Sequence, residues 1–215
     1  MICAGALLLL ASASLLFYSR FDDNMAGQRA QSLLEQVMED GWEQSLFFVD
    51  ESMQRYPSAG RTASILELSE EEQHPEDEQD AESWHGEALV YSVIGIMEIP
   101  VFNQKLPVLS GCTYALLNIS VGRYAGHADE KPERLVIAGH NFRSHFGRIS
   151  TLDLGDELLF TTQDGSTYRY IVIGMDSCHR DDKEAVREGD EWDITLLTCQ
   201  KDRTMRTLVR FQEIE

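Results

Sequence analysis

Basic residues are scarce. The chain of 215 residues holds 18 Lys and Arg against 37 Asp and Glu, a formal net charge of −19. A general nucleic-acid binder needs a basic footprint to displace counterions from phosphates, so nucleic acid is excluded as a partner. Cysteine is also sparse: Cys3, Cys112, Cys178 and Cys199 are too few for a disulfide scaffold, though they leave room for a reactive thiol. His140, His145 and Asp153 lack the paired Cys/His spacing of a zinc site. No metal or other cofactor is therefore expected, and there is no internal repeat. What is present suits one domain with an appendage. Hydrophobic residues make up 43% and charged residues 26%, ordinary for a chain that buries a core.

The acidity is uneven. Residues 1–85 carry 17 acids and 4 bases; residues 86–215 carry 20 and 14. Much of the charge thus lies in the N-terminal third and says little about an active site. Residues 2–18, ICAGALLLLASASLLFY, carry no charge. A membrane span needs about 20 apolar residues, although about 17 suffice. An uncleaved anchor over residues 1–20 is expected, with a signal peptide and a buried helix as rival readings. A small leading segment and a large following domain favour a single pass with the C-terminal part outside the cell.

Ala30, Leu33, Leu34, Val37, Met38, Trp42 and Leu46 recur at near-helical spacing, which predicts a helix from Met25 to about Tyr56. It either packs on its own domain or stalks it off the membrane; a partner-binding helix is the alternative. Residues 67–83, ELSEEEQHPEDEQDAES, lack bases and nearly all apolar side chains. Such a segment cannot offset its ordering entropy and is expected to be a disordered linker. The divisions are a membrane anchor (1–20), a juxtamembrane helix (21–60), an acidic linker (61–86) and a folded domain (87–215).

From Glu87 the pattern changes to short strands. Strands are predicted at residues 90–99, 134–138, 157–162, 167–174, 192–198 and 205–214, with Asp164-Gly165 marking a hairpin. Six to eight strands with short connections over about 130 residues suggest a mainly-β, closed barrel.

Three groups end or open these strands. Ala138-Gly139-His140-Asn141 follows the run RLVIA; Thr195-Leu196-Leu197-Thr198-Cys199 ends another apolar strand; Met205-Arg206-Thr207-Leu208-Val209-Arg210 opens the last. A rigid sheet can hold each reactive group at a cleft. A thiolate to attack a carbonyl, an imidazole to move protons and a guanidinium to stabilise negative charge suffice for acyl transfer. Cys112 and Cys178 lack such a context. His145 is expected at the surface. Arg203 and Arg210 compete with Arg206, but Arg203 sits in a polar loop and Arg210 lies about 13 Å further along the strand at about 3.3 Å per residue.

These motifs resemble the sortases, the membrane-anchored cysteine transpeptidases of Gram-positive bacteria. The TLxTC signature stands as Thr195 to Cys199, and the small-Gly-His context as Ala138-Gly139-His140. Gly95-Ile96-Met97-Glu98-Ile99-Pro100 followed by Lys105-Leu106-Pro107-Val108 is similar to the family's opening. Gly122-Arg123-Tyr124-Ala125-Gly126 stands where sortases have a GxGHxPG-like turn and departs from it at Arg123 and Ala125. Phe146-Gly147 and residues 152–157 match the segment after the histidine.

The resemblance implies an eight-stranded sortase barrel with short helices, of class B-like or class D-like type. It implies cleavage of an LPxTG-like sorting signal in an exported protein, a thioacyl intermediate, and transfer to an amine of a cell-wall precursor or a pilin. Carried over by motif, Cys199 is the nucleophile, His140 the general acid/base and Arg206 the oxyanion partner; Leu197 and Thr198 contact substrate. A thiol and imidazole largely uncharged at rest would make Cys199 label more slowly than an activated thiolate. A catalytically silent peptide-binding module and a thioester-hydrolysing cysteine peptidase are the alternatives.

Overall fold

The computed structural model describes residues 2–42, 46–49, 89–128, 130–189, 191–200 and 204–214. The expected acidic linker and the far end of the expected juxtamembrane helix lie outside the described residues. So do the side chains of residues 2–18, the expected anchor. Among the described residues no helix is long and apolar enough to cross a membrane.

One continuous helix, α1 (Ile2–Asp40), runs through the expected anchor and into the expected second helix without a break. It also ends some 15 residues earlier than its apolar spacing predicts. Gly41 takes φ 78°, and its N–H donates to the Val37 carbonyl at 3.1 Å. This is the left-handed glycine cap that closes a helix. Leu46, expected on the helical face, lies instead in a strand, β1 (Leu46–Val49). Ala26, Ala30, Leu33, Leu34 and Val37 form the buried stripe of α1, while Met38 is exposed. Leu33, Leu34 and Val37 join Tyr91, Val93, Ile96, Leu109 and Leu116 in one apolar cluster. The helix thus packs on its own domain.

The remaining elements are β2 (Leu89–Ile99), β3 (Gln104–Leu109), α2 (Tyr114–Leu117), β4 (Val121–His127), β5 (Glu133–Gly139), β6 (Glu157–Thr162), β7 (Thr167–His179), α3 (Lys183–Arg187), β8 (Ile194–Cys199) and β9 (Met205–Ile214). Eight strands run in the order β2-β3-β4-β5-β8-β9-β7-β6, and β6 pairs with β2 to close the barrel. Strand β1 pairs with the start of β2 outside this circuit. Two neighbouring pairs, β3–β4 and β5–β8, are parallel. Residues 122–126, expected as a turn, lie in β4, whose register against β5 shifts twice. The hairpin at Asp164-Gly165 joins β6 and β7 as expected, with Gly165 at φ 86°.

Strands β5 and β8 are buried on both faces, which fits their parallel pairing at the centre of the sheet. Leu135, Ile137, Ile194, Leu196, Val209 and Phe211 face the barrel interior. Val136, Ala138, Leu197, Leu208 and Cys178 face outward under Trp192 and Val186 of the β7–β8 connection. That outer layer ends at the candidate site.

Candidate active site

Gly139 of β5 pairs with Thr198 of β8 in parallel register. The residues that follow, His140 and Cys199, therefore stand at the same level on strands about 4.8 Å apart. Across the other edge of β8, antiparallel β9 sets Arg206 directly opposite Cys199. Directly opposed residues point to one face with Cα atoms about 4.5–5.5 Å apart. Cysteine, histidine and arginine thus form a row across three adjacent strands, although 59 residues separate the first two in sequence.

Cys199, the middle member of the row, lines an open cleft of about 480 Å³ together with Asn141, Phe146, Gly147, Ser150, Thr198, Gln200 and Thr207. Cys199 is exposed at its edge. Thr198 is buried and its hydroxyl donates to the Gly139 carbonyl at 2.8 Å, tying β8 to β5 beneath His140. Leu197 shares the face of Cys199 one step down the strand, buried in the outer apolar layer rather than lining this cleft. Gly139 has to be glycine for space: a Cβ there would come within 2.6 Å of the Phe146 ring. The His140 ring is held between aromatics, edge-on to Tyr114 at 5.2 Å between centroids and tilted against Phe142 at 4.9 Å.

The arginines separate cleanly. Arg206 is half-buried, its guanidinium 5.9 Å from the centre of the Tyr124 ring. Arg210 is buried and holds the β7–β8 connection. It donates to the Val186 carbonyl at 2.7 Å, the Ala185 carbonyl at 2.8 Å and the Thr195 hydroxyl at 2.8 Å. It also lies 4.8 Å from the centre of the Trp192 ring, with Arg134 on the same ring at 4.0 Å. Arg203 lies outside the described residues.

Burial works against two other thiols: it pushes the pKa of Cys112 up to about 11 and raises that of Cys178, with Arg206 pulling in the opposite direction on both. Cys178 and His179 point to opposite faces of β7, one buried and one exposed. His145, expected at the surface, is instead fully buried beneath α1. Burial, helped by neighbouring His140, lowers its pKa to about 4, against the pull of the Ala26 carbonyl and Asp23. It is therefore neutral at ordinary pH. Among the described residues no group of His, Cys, Asp and Glu could hold a metal ion.

The sortase-domain family model matches residues 97–213, more than half of the chain and all three residues of the row. The chain belongs to the sortase family. Among curated sortases it is similar to Sortase A of Bacillus anthracis, 30% identical over 54% of this chain and 58% of that one. It is similar also to Sortase D of Bacillus subtilis (strain 168), 27% identical over 49% and 53%. The chain thus matches little more than half the length of these relatives. A sortase C of Clostridium perfringens, solved with the C-terminal cell wall sorting motif, superposes with TM-score 0.50 and 28% identity, over 58% of this chain and 71% of that chain. Sortases labelled A, C and D match at similar identity, so similarity does not select between the class B-like and D-like expectations. Sequence reading missed Tyr114, Phe142 and Ser150, which carry no motif; Tyr114 and Ser150 reach the site only through the fold, while Phe142 stands two residues from His140.

Proposed function

We propose that this sortase is a cysteine transpeptidase that cleaves an LPxTG-like sorting signal and passes its acyl part to an amine. The observation that carries the reading is the row of His140, Cys199 and Arg206 on three adjacent strands beside an open cleft. The Cys199 sulfur attacks the scissile carbonyl carbon as its proton passes to His140. The Arg206 guanidinium donates to the oxygen as it becomes negative. The C–N bond breaks, His140 protonates the departing amine, and a thioester to Cys199 remains. An acceptor amine then attacks the thioester and gives its proton to His140; the C–S bond breaks, and the leaving sulfur takes that proton from His140 to restore the thiol. Thr198 holds the strand ends in register; Leu197 supports the floor below Cys199.

The donor is an exported protein with a sorting signal, and the acceptor is a cell-wall precursor amine or a pilin lysine. Similarity to the C. perfringens structure with a cell wall sorting motif supports the donor class. The uncharged first part of α1, residues 2–18, anchors the chain in the cell membrane as a single pass with the barrel outside. Mass spectrometry of the protein with LPxTG-type peptides, with and without amine acceptors, tests the reading. A Cys199 thioester and an amine-linked product support transfer. Hydrolysis alone in the presence of amine reduces it to a peptidase, and peptide binding without an adduct makes it a silent module.

A further inference from the structure

The connection that carries His140 is tied to α1 at points the proposed reaction does not use. The Asp23 carboxylate accepts from the Ser144 N–H at 2.8 Å, and the Ser144 hydroxyl donates to the Asp23 carbonyl at 2.9 Å. Gln104 grips the same turn from β3's side, donating to the Ser144 carbonyl at 2.6 Å and the His145 carbonyl at 2.9 Å. The approach of helix to turn is close: a Cβ on Gly27 would lie 2.9 Å from the Ser144 Cβ. The fully buried His145 ring lies beside the backbone of Ala26 on α1, which is itself 1% exposed.

From that ring a chain of aromatic contacts leads to the site. His145 lies 5.8 Å from Phe142, and Phe142 lies 4.9 Å from His140. The backbone repeats the link: the N–H groups of His145 and Gly147 both donate to the Phe142 carbonyl, and that of Phe146 to the His140 carbonyl. A shift of the turn therefore moves Phe142, and with it the face on which His140 rests.

We propose that α1 is a working part of this active site: Asp23 and Gly27 clamp the turn at Ser144 and His145, which through Phe142 holds the His140 ring in line with Cys199. Asp23 acts as a positioning residue, bonding the turn and not the substrate. The inference rests on the acyl-transfer reading above, in which His140 moves the proton. Misplacing a catalytic group by about 1 Å can cost about a hundredfold in rate. A partial release of the clamp should therefore cost about tenfold or more in kcat, with KM within about twofold.

The experiment uses the full chain in detergent micelles with an LPxTG-type peptide and an amine. Asp23→Ala removes the acceptor, and Gly27→Leu wedges the helix off the turn while raising its helix propensity. Asp23→Asn keeps an oxygen for the Ser144 N–H and should restore wild-type kcat. Leu33→Ala weakens α1 where it meets β2 and β3, away from the turn, and should lower the melting temperature while leaving kcat within about twofold. The clamp is overturned if Asp23→Ala and Gly27→Leu keep wild-type kcat, or if Leu33→Ala loses as much as they do at equal melting temperature. A second arm needs no substrate: the pH profile of Cys199 alkylation by iodoacetamide, followed by peptide mass mapping. It should shift in Asp23→Ala and Gly27→Leu but not in Asp23→Asn or Leu33→Ala. An unmoved profile overturns the clamp even if the wild-type protein turns over no peptide, a result that by itself refutes only the acyl-transfer reading.

Discussion

Arg206 and Arg210 stand four residues apart on one face of β9, and their removal should have opposite signatures. Arg210 is 6% exposed. Its guanidinium satisfies two backbone carbonyls and the Thr195 hydroxyl, and packs on Trp192. Burial lowers its pKa, with Asp176 opposing, yet an arginine remains charged. A hydrogen bond from a charged donor contributes about 1.5–3 kcal/mol, and a buried acceptor left unpaired costs about 1–3 kcal/mol. These do not add fully, since water can reach the partly buried Ala185 carbonyl once the side chain is gone. Arg210→Ala should therefore cost about 3–4 kcal/mol. At about 2–4 °C per kcal/mol for a domain of this size, the melting temperature should fall by roughly 10 °C. Arg210→Lys should recover only part, because an ammonium cannot span three acceptors as the planar fork does. Arg206→Ala should leave the melting temperature within about 2 °C while kcat/KM falls by about 10²–10³, the usual cost of an oxyanion donor. Thermal melts and kcat/KM for the three variants provide the test. A fully stable Arg210→Ala protein with crippled turnover would refute the division of labour and move the oxyanion donor to Arg210.

Cys199→Ala should abolish the thioester adduct and peptide cleavage, while Cys112→Ala and Cys178→Ala retain most activity; adduct mapping by mass spectrometry checks this. His145 adds a pH dependence to stability. Its folded pKa of about 4 lies below the ordinary value of 6.5, so the unfolded chain binds the proton more tightly. Its penalty is absent above about pH 6.5 and grows as pH falls to about 4, reaching about 3 kcal/mol at about 1.4 kcal/mol per unit. Urea titrations at pH 7 and pH 4.5 should show a loss that His145→Phe reduces; an equal loss in both proteins refutes it. A chain beginning near Gly86 loses α1 and uncovers the faces of Tyr91, Ile96 and Leu109. Burying Leu33, Leu34 and Val37 at about 1.5–3 kcal/mol each predicts a lower melting temperature or aggregation, measured by calorimetry and light scattering.

Much of this protein was legible in its residues because the signals were local. Alternation and β-branched runs mark β2, β5, β6 and β9, and Asp164-Gly165 marks its hairpin through turn geometry that few residue pairs allow. The residues 195–199 and 138–140 are contiguous, so a motif could carry them. Helix length was misread because apolar spacing continues past Gly41, whereas a left-handed cap depends on a single residue and its hydrogen bond to Val37. His145 was misread because the part of α1 beside it, around Asp23 and Ala26, is more than 100 residues away in the chain. Sequence alone determined which reactive groups the chain possesses and that strands would hold them. The tertiary structure decided which arginine faces Cys199 and which caps a loop, because both share one face of one strand and only the pairing of β9 with β8 and β7 sets their neighbours. It also decided that α1 bears on the histidine turn, a contact made by two short polar groups and the absence of a side chain at Gly27, none of which leaves a pattern in sequence.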